Sequence, residues 1–381
     1  MSFSARPTAL VITPMVHDAA TTKVDFGAVV EGVDLNDIND ETFAVLKKAV
    51  LTHRLLVIKG QSKLHPANQL KFVQKFSPGS VNFSHALDPE YKKRRGGKAA
   101  TIPGVEQCQV LGYGKIPSDH YGLPDDLVID RQDHTKIHKT PLSAEELAKG
   151  DTRLMQLHFD GALYNVPPPF CGSLLAVKTP KGEDLTLRFD NVNGKGEKKM
   201  GPGSTAYFSA AQAYRLLTPE QQAIANNSTI TYAPHAFSWI AGCKATNDAS
   251  SIVSEGLEVP LDDLPPWDPS KLKIMPWVWH NPFNGEKSLM LHGQCAMKLH
   301  IKTSPDSEVR EVTDLAEVRS ILQPFMTPIL RPEYVYCHNH QEGDLALWYN
   351  HGMWHSITEF PESCGRRIMH QCNLAHTEDP K

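Results

Sequence analysis

No apolar run in this chain approaches the ~18 residues that a membrane-spanning helix needs, so no membrane role is expected. Cysteine is scarce and unpatterned. The seven residues at 108, 171, 243, 295, 337, 364 and 372 are odd in number and include no Cys-x-x-Cys. This disfavours both a disulfide framework and a structural zinc site. Excess charge is missing as well: 39 Lys and Arg against 43 Asp and Glu leave a net −4. Nucleic acid and anionic membranes are therefore poor candidates for the main partner. The opening Met1–Pro7 lacks the basic and apolar regions of a secretory signal, and no internal repeat or low-complexity tract is present. These absences lead us to expect a reduced, cytoplasmic protein acting on a small molecule. They leave the oligomeric state open, a homo-oligomer included.

Hydrophobic residues make up 40% of the 381-residue chain, enough for a sizeable core. One domain over residues 1–381 is expected, because mainly-β domains often exceed 200 residues as single units. Phe26–Leu35 reads as a strand and turn, Asp40–Thr52 as a helix with Phe43, Leu46 and Val50 on one face, and Leu55–Ile58 as a buried strand. Pro66 opens a second helix through Phe76. Residues 111–150 are rich in Gly, Pro, Asp and His and are too long for an ordinary connection, which marks a lid or binding segment. Ser143-Ala144-Glu145-Glu146 ends it as a capping box. Residues 248–272, rich in Ser, Pro and Asp, read as a surface excursion.

Two clusters carry chemistry. His158-Phe159-Asp160 follows Leu154–Leu157, an expected strand, and alternate strand positions share a face, so His158 and Asp160 can converge on one ion. Near the C-terminus, Leu345–Tyr349 reads as a buried strand that delivers His355 a few residues beyond its end, with Arg367 twelve residues further on. Two His and one Asp on one face of a metal form the facial triad of non-haem Fe(II) oxygenases. An Arg beyond the last His can grip the distal carboxylate of a 2-oxoacid. Arg367-Ile368-Met369 is expected to begin the next strand, antiparallel after a turn within Thr358–Gly365, and Arg366 is the surface alternative. His351 is the alternative ligand to His355. Asn350 and Trp348 are candidates for orienting His355, with plain core packing the stronger reading for Trp348.

Phe26-Gly27-Ala28…Gly32-Val33-Asp34-Leu35 and His53–Gln61 resemble the opening of the taurine dioxygenase family. His158-x-Asp160, Gly203–Phe208, Trp348-x-Asn350-x4-His355 and Arg366–His370 follow its later motifs in order. The resemblance implies a mainly-β fold with helical additions, a double-stranded β-helix or jelly roll. It also implies Fe(II) held by His158, Asp160 and His355, and 2-oxoglutarate held by Arg367 and the Thr205 hydroxyl. Thr186 is a competing hydroxyl. Such enzymes use O2 and release succinate and CO2.

In family members acting on taurine, a second Arg four residues after the co-substrate Arg helps recognise sulfonate; here that position is Gln371. An amide cannot replace a guanidinium as counter-charge to a desolvated anion, but it can pair with a neutral lactam or imide edge. Gln371 and Asn373 share strand parity with Arg367, so all three are expected to point inward. With Gln107–Gly114 and Tyr232–His235, this pattern resembles a fungal branch, the 2-oxoglutarate-dependent xanthine dioxygenases. That resemblance implies xanthine hydroxylated at C8 to uric acid, with Gln371 and Asn373 reading the purine edge and Gln109, Lys136 and Glu146 as further contacts. Glu146 carries an equally weighted structural role in its capping box. Three other readings stay open: a related oxygenase acting on a sulfonate, alkyl sulfate or other acid; a zinc hydrolase; and a non-catalytic jelly-roll binding protein.

Overall fold

The computed structural model describes residues 9–80, 83–84, 100–130, 133–191 and 194–381. Its backbone is a large twisted sheet facing a smaller one. In the large sheet the strands run in the order Val11–Pro14, Ala28–Glu31, Leu55–Ile58, Leu345–Tyr349, Pro169–Lys178, Arg367–Ala375, Val105–Lys115 and Ala100–Ile102. Neighbours are antiparallel except Ala28–Glu31 beside Leu55–Ile58. The small sheet holds Thr205–Ser209 between Tyr336–His338 and Met353–Ile357. This is a double-stranded β-helix with helical additions, as expected.

Alternation along the central strand builds both layers. Leu345 and Leu347 turn outward, where Leu46, Val50, Phe72 and Val73 of the helices Asp40–His53 and Pro66–Gln74 cover them. Ala346 and Trp348 turn inward and pack with Tyr207, Met353 and Met369 between the sheets. Both helices start where their caps dictate: the Asn39 side chain accepts from the Thr42 N–H, and Pro66 sits in the first turn behind His65. Gly172 is required by the Trp348 indole, because a Cβ there would lie 2.2 Å from the ring. Gly112, at φ +132°, lets its strand approach the Arg367 carbonyl more closely than any side chain would allow.

The chain passes from the large sheet to the small one through a single 3-10 turn, Asn350–Gly352, between Leu345–Tyr349 and Met353–Ile357. His355 therefore lies on a strand of the small sheet. The strand of Arg367 pairs with Pro169–Lys178 and Val105–Lys115 in the large sheet. It is thus not the antiparallel neighbour of the strand carrying His355; the two stand on facing layers.

Other expectations need correction. Leu154–Leu157 forms no regular strand: it makes only bridges, Leu154 to Thr358 and His158 to His355. The Ser356 hydroxyl accepts from the Met155 and Gln156 N–H groups at 3.0 and 3.1 Å, and the Met155 N–H also reaches the Ile357 carbonyl at 3.1 Å, so backbone pairing survives only at single positions. The long segment begins later than residue 111, because Val105–Lys115 is a continuous strand. Residues 248–272 are not wholly a surface excursion either: Asp248 to Ile252 are buried, and the Ala249 carbonyl accepts from the Leu157 N–H at 3.1 Å. Among the described residues no helix is long and apolar enough to cross a membrane.

Candidate active site

His158 and His355 are joined through their backbones. His158 N–H donates to the His355 carbonyl at 3.0 Å, and His355 N–H returns the bond at 2.8 Å. The pairing sets the two imidazoles side by side, ring centroids 4.2 Å apart. Asp160 Oδ1 lies 3.8 Å from the Nε2 of each ring. One donor atom from each of the three residues falls within 4.8 Å of the others, so one ion can be reached by all.

The surroundings fix this set. His158 Nδ1 is 2.9 Å from the Gln156 carbonyl, which makes Nδ1 the protonated nitrogen and turns the Nε2 lone pair toward Asp160. Asn350 was expected to orient His355, but it holds Asp160 instead. Its Oδ1 accepts from the Asp160 N–H at 2.8 Å, and its Nδ2 donates to the Asp160 and Pro169 carbonyls, each at 2.8 Å. His351 lies elsewhere, within hydrogen-bond reach of the Pro168 carbonyl and edge-on to Trp279 and Phe170. Burial, then the neighbouring His158, pushes the His355 pKa down to about 3 against the opposing pull of Asp160. A neutral imidazole is the form that ligates metal. Asp160 Oδ2 is buried with no hydrogen-bond partner among the described residues, an uncommon and costly state for a carboxylate oxygen.

Arg367 is 6% exposed. Its Nε donates to the Gly203 carbonyl at 2.9 Å and its Nη2 to the Thr205 hydroxyl at 3.3 Å, and among the described residues no carboxylate pairs with it. Burial pulls its pKa down to about 10. A cation buried without counter-charge is a ready receptor for an anion. Thr205 shares the cavity wall with Arg367. Thr186, the competing hydroxyl, lies on the Leu185–Asn191 hairpin, where it accepts from Lys199 Nζ at 2.6 Å, and it does not line the cavity. Arg366 points to the exterior and donates to the Lys115 carbonyl at 3.0 Å.

A cavity of about 390 Å³ runs between the sheets with the triad and Arg367 in its walls. Gln371 opens onto it, two strand positions beyond the core residue Met369, as the parity argument requires. Asn373 is buried opposite Gly172 on the neighbouring strand and does not line the cavity. Gln109 is the cross-strand partner of Gln371 and also lies behind the wall. Lys136 is exposed on the short helix His134–Ile137, whose Ile137 reaches the cavity instead. Glu146 accepts from the Ser143 N–H at 2.7 Å in its capping box, in the field of Arg188 and Arg153, and is not brought to the cavity.

Sequence reasoning missed most of the remaining wall. Gln156 and Phe360 line it from irregular segments, and Phe237 and Ser238 from the one-turn helix Ala236–Trp239, too short to show a helical period. It also missed His340, 2.9 Å from the Thr205 hydroxyl. Its signal was the alternation in His338-Asn339-His340, although only His338 falls within the strand.

Comparison with known proteins places these features in a family. The taurine catabolism dioxygenase TauD, TfdA family matches residues 17–373, and the chain belongs to that family. It is 37% identical to the alpha-ketoglutarate-dependent xanthine dioxygenase xan1 of Schizosaccharomyces pombe, covering 97% of this chain and 89% of the relative. It is 35% identical to the alpha-ketoglutarate-dependent dioxygenase bsc9 of Alternaria brassicicola, covering 94% of this chain and 92% of that one. Among solved structures, a putative alpha-ketoglutarate-dependent taurine dioxygenase from Burkholderia xenovorans superposes with a TM-score of 0.56 at 14% identity, covering 98% of this chain and 91% of that chain. The protein is therefore an oxidoreductase of the 2-oxoglutarate-dependent dioxygenase class, and the zinc hydrolase and non-catalytic readings fall away.

Proposed function

We propose that this taurine-dioxygenase-family enzyme hydroxylates xanthine at C8, converting xanthine, 2-oxoglutarate and O2 into uric acid, succinate and CO2, with Fe(II) as its metal. The observation that carries the proposal is the pairing, in one cavity, of a buried unneutralised Arg367 with a neutral Gln371 where taurine-acting relatives need a second cation. The long match to a xanthine dioxygenase points the same way.

The residues fit a divalent metal. Two imidazoles and a carboxylate face one another, His158 Nδ1 is occupied so that Nε2 is free, and Asp160 Oδ2 lacks a partner. His158, Asp160 and His355 would hold the ion, a set that suits non-haem iron. When bound, iron and 2-oxoglutarate supply the activation of O2, one oxygen atom leaving in succinate and the other entering the substrate.

The protein supplies placement. Arg367 offers a fork of N–H donors to the distal carboxylate of the oxoacid, and Thr205 adds a hydroxyl beside it. The Gln371 amide offers one donor group and one acceptor, which suits the N–H and C=O edge of an oxopurine and not a sulfonate. Leu174, Met155, Phe237 and Trp348 close the walls with apolar surface and limit water around the reacting carbon. The cavity volume falls in the range usual for small-molecule sites.

A second reading has one specific support: bsc9, at 35% identity, is named as a dioxygenase without reference to xanthine. The test is succinate formation in air with Fe(II), 2-oxoglutarate and, separately, xanthine, taurine and an alkyl sulfate. Xanthine is expected to stimulate succinate release and to yield uric acid. Background succinate with xanthine, alongside stimulation by another acid, would favour the second reading.

A further inference from the structure

We infer that His340 is a positioning residue for the co-substrate: it holds the Thr205 hydroxyl as a donor aimed at the distal carboxylate of 2-oxoglutarate. The inference rests on the reading of Arg367 and Thr205 as the co-substrate clamp. His340 follows the strand Tyr336–His338, whose His338 is register partner of Thr205, and its Nε2 lies 2.9 Å from Thr205 Oγ1. Both residues are buried, at 4% and 2% exposure.

A hydroxyl has one proton and two lone pairs. Arg367 Nη2, always a donor, lies 3.3 Å from Thr205 Oγ1 and occupies one lone pair. The imidazole then decides the rest. With the proton on His340 Nε2, the hydroxyl accepts from these two neighbours and its own proton is directed away from both, toward the cavity wall it shares with Tyr207, where an anion can take it. With the proton on Nδ1, the hydroxyl must donate to Nε2, and it meets an incoming carboxylate with lone pairs only. An anion held by Arg367 therefore selects the Nε2–H tautomer.

The rest of the environment makes His340 dependable in this role. Burial, then His338 and Arg367, keep the imidazole neutral by holding its pKa well below the usual histidine value. The ring is fixed edge-on to His338, centroids 4.4 Å apart. His338 sits 3.1 Å from the Tyr336 hydroxyl and 3.7 Å from Asp344, which is itself paired with Lys59 at 2.6 Å. A supported chain of polar groups thus runs from the outer edge of the sheets to Thr205.

The experiment is a double-mutant cycle read by direct binding. Anaerobic calorimetric titration of 2-oxoglutarate is performed on the Mn(II)-loaded wild type, His340→Leu, Thr205→Val, the double variant and Arg367→Gln. His340→Leu is expected to weaken binding about tenfold, Thr205→Val about as much, and the double variant no more than Thr205→Val alone. His340→Gln, whose amide N–H can stand in for Nε2–H, is expected to bind within about threefold of wild type. It also covers the case in which the leucine variant fails to fold. Wild-type affinity in His340→Leu, or losses that add fully in the double variant, would overturn the inference while Arg367→Gln still loses binding. Unchanged affinity in Arg367→Gln would overturn the clamp assignment itself.

Discussion

Replacing Arg367 by glutamine should move stability and co-substrate binding independently. The guanidinium is 6% exposed, and burial lowers its pKa from the ordinary arginine value to about 10. That difference corresponds to about 3 kcal/mol against the charged form in the folded protein. The sign follows from proton binding. A depressed pKa means that the folded chain gives up the proton before the unfolded one, so stability rises with pH above the neutral range. At neutral pH the whole penalty is present. Glutamine removes it, but also removes the bonds to the Gly203 carbonyl and the Thr205 hydroxyl, the shorter of which contributes roughly 1.5–3 kcal/mol. The two nearly cancel, and ligand-free stability should change by less than about 2 kcal/mol. Binding should not be spared. Loss of one partner of a buried charge pair costs ~3–5 kcal/mol, roughly 150- to 5,000-fold in affinity. Thermal unfolding with and without 2-oxoglutarate checks both halves. At a hundredfold excess over its dissociation constant the ligand adds about 2.7 kcal/mol to wild type, and the same concentration should add nothing measurable to Arg367→Gln. A variant that unfolds far below wild type yet keeps the full ligand shift would make Arg367 a structural residue and refute the reasoning. Arg366→Gln, whose side chain points outward, is the control and should match wild type throughout.

Alanine at His158, Asp160 or His355 should abolish divalent-metal binding in a titration with Mn(II) while circular dichroism stays native, whereas His351→Ala should retain the metal and lose only packing. Asn350→Ala should lower metal affinity roughly ten- to a hundredfold without removing a ligand, because the Asp160 backbone loses both its bonds to that amide; unchanged affinity would mean the backbone is held adequately by other contacts. Gln371→Ala should reduce kcat/KM for xanthine about five- to two-hundredfold, the cost of ~1–3 kcal/mol for an unpaired polar edge. Asn373→Ala should do less, since Asn373 does not line the cavity, and the reverse order would show that Asn373 reaches substrate in the working enzyme.

What the sequence showed depended on whether a regular element carried it. The helix Asp40–His53 was legible because Phe43, Leu46 and Val50 repeat on one face. The inward parity of Arg367 and Gln371 was legible because the strand Arg367–Ala375 keeps an unbroken register with Val105–Lys115. The irregularity of that sheet falls on the other neighbour, Pro169–Lys178, and leaves the parity intact. Leu154–Leu157 was misread because only single bridges pair it: the Ser356 hydroxyl takes the Gln156 N–H and shares the Met155 N–H, and the Leu157 N–H goes to the Ala249 carbonyl. The partner of Asn350 was also invisible. A side-chain amide bonded to a backbone 190 residues away leaves no periodic trace. The substrate walls escaped for a related reason. They come from Gln156, the one-turn helix Ala236–Trp239 and Phe360, and sequence spacing does not encode how such short or irregular segments meet.

The division of labour between the two sheets explains why chemistry was easier to read than substrate. His355 stands on the small sheet and Arg367 on the large one, and a three-residue turn carries the chain from one layer to the other next to Asn350. The spacing of the candidate metal and co-substrate groups is therefore set by how the layers dock, with the Trp348 ring of the large sheet packed against Tyr207 and His355 of the small one, centroids 5.9 and 5.0 Å apart. Those contacts are made by side chains whose types are dictated by packing, so the motif carrying the ligands also carries their support. Gln371 follows the same register and could be foreseen. The irregular walls sit outside that frame, where residue type can change without disturbing the docking of the sheets. The candidate metal and co-substrate groups, and Gln371 with them, are tied to the core, and the remaining cavity contacts are left to segments the core does not constrain.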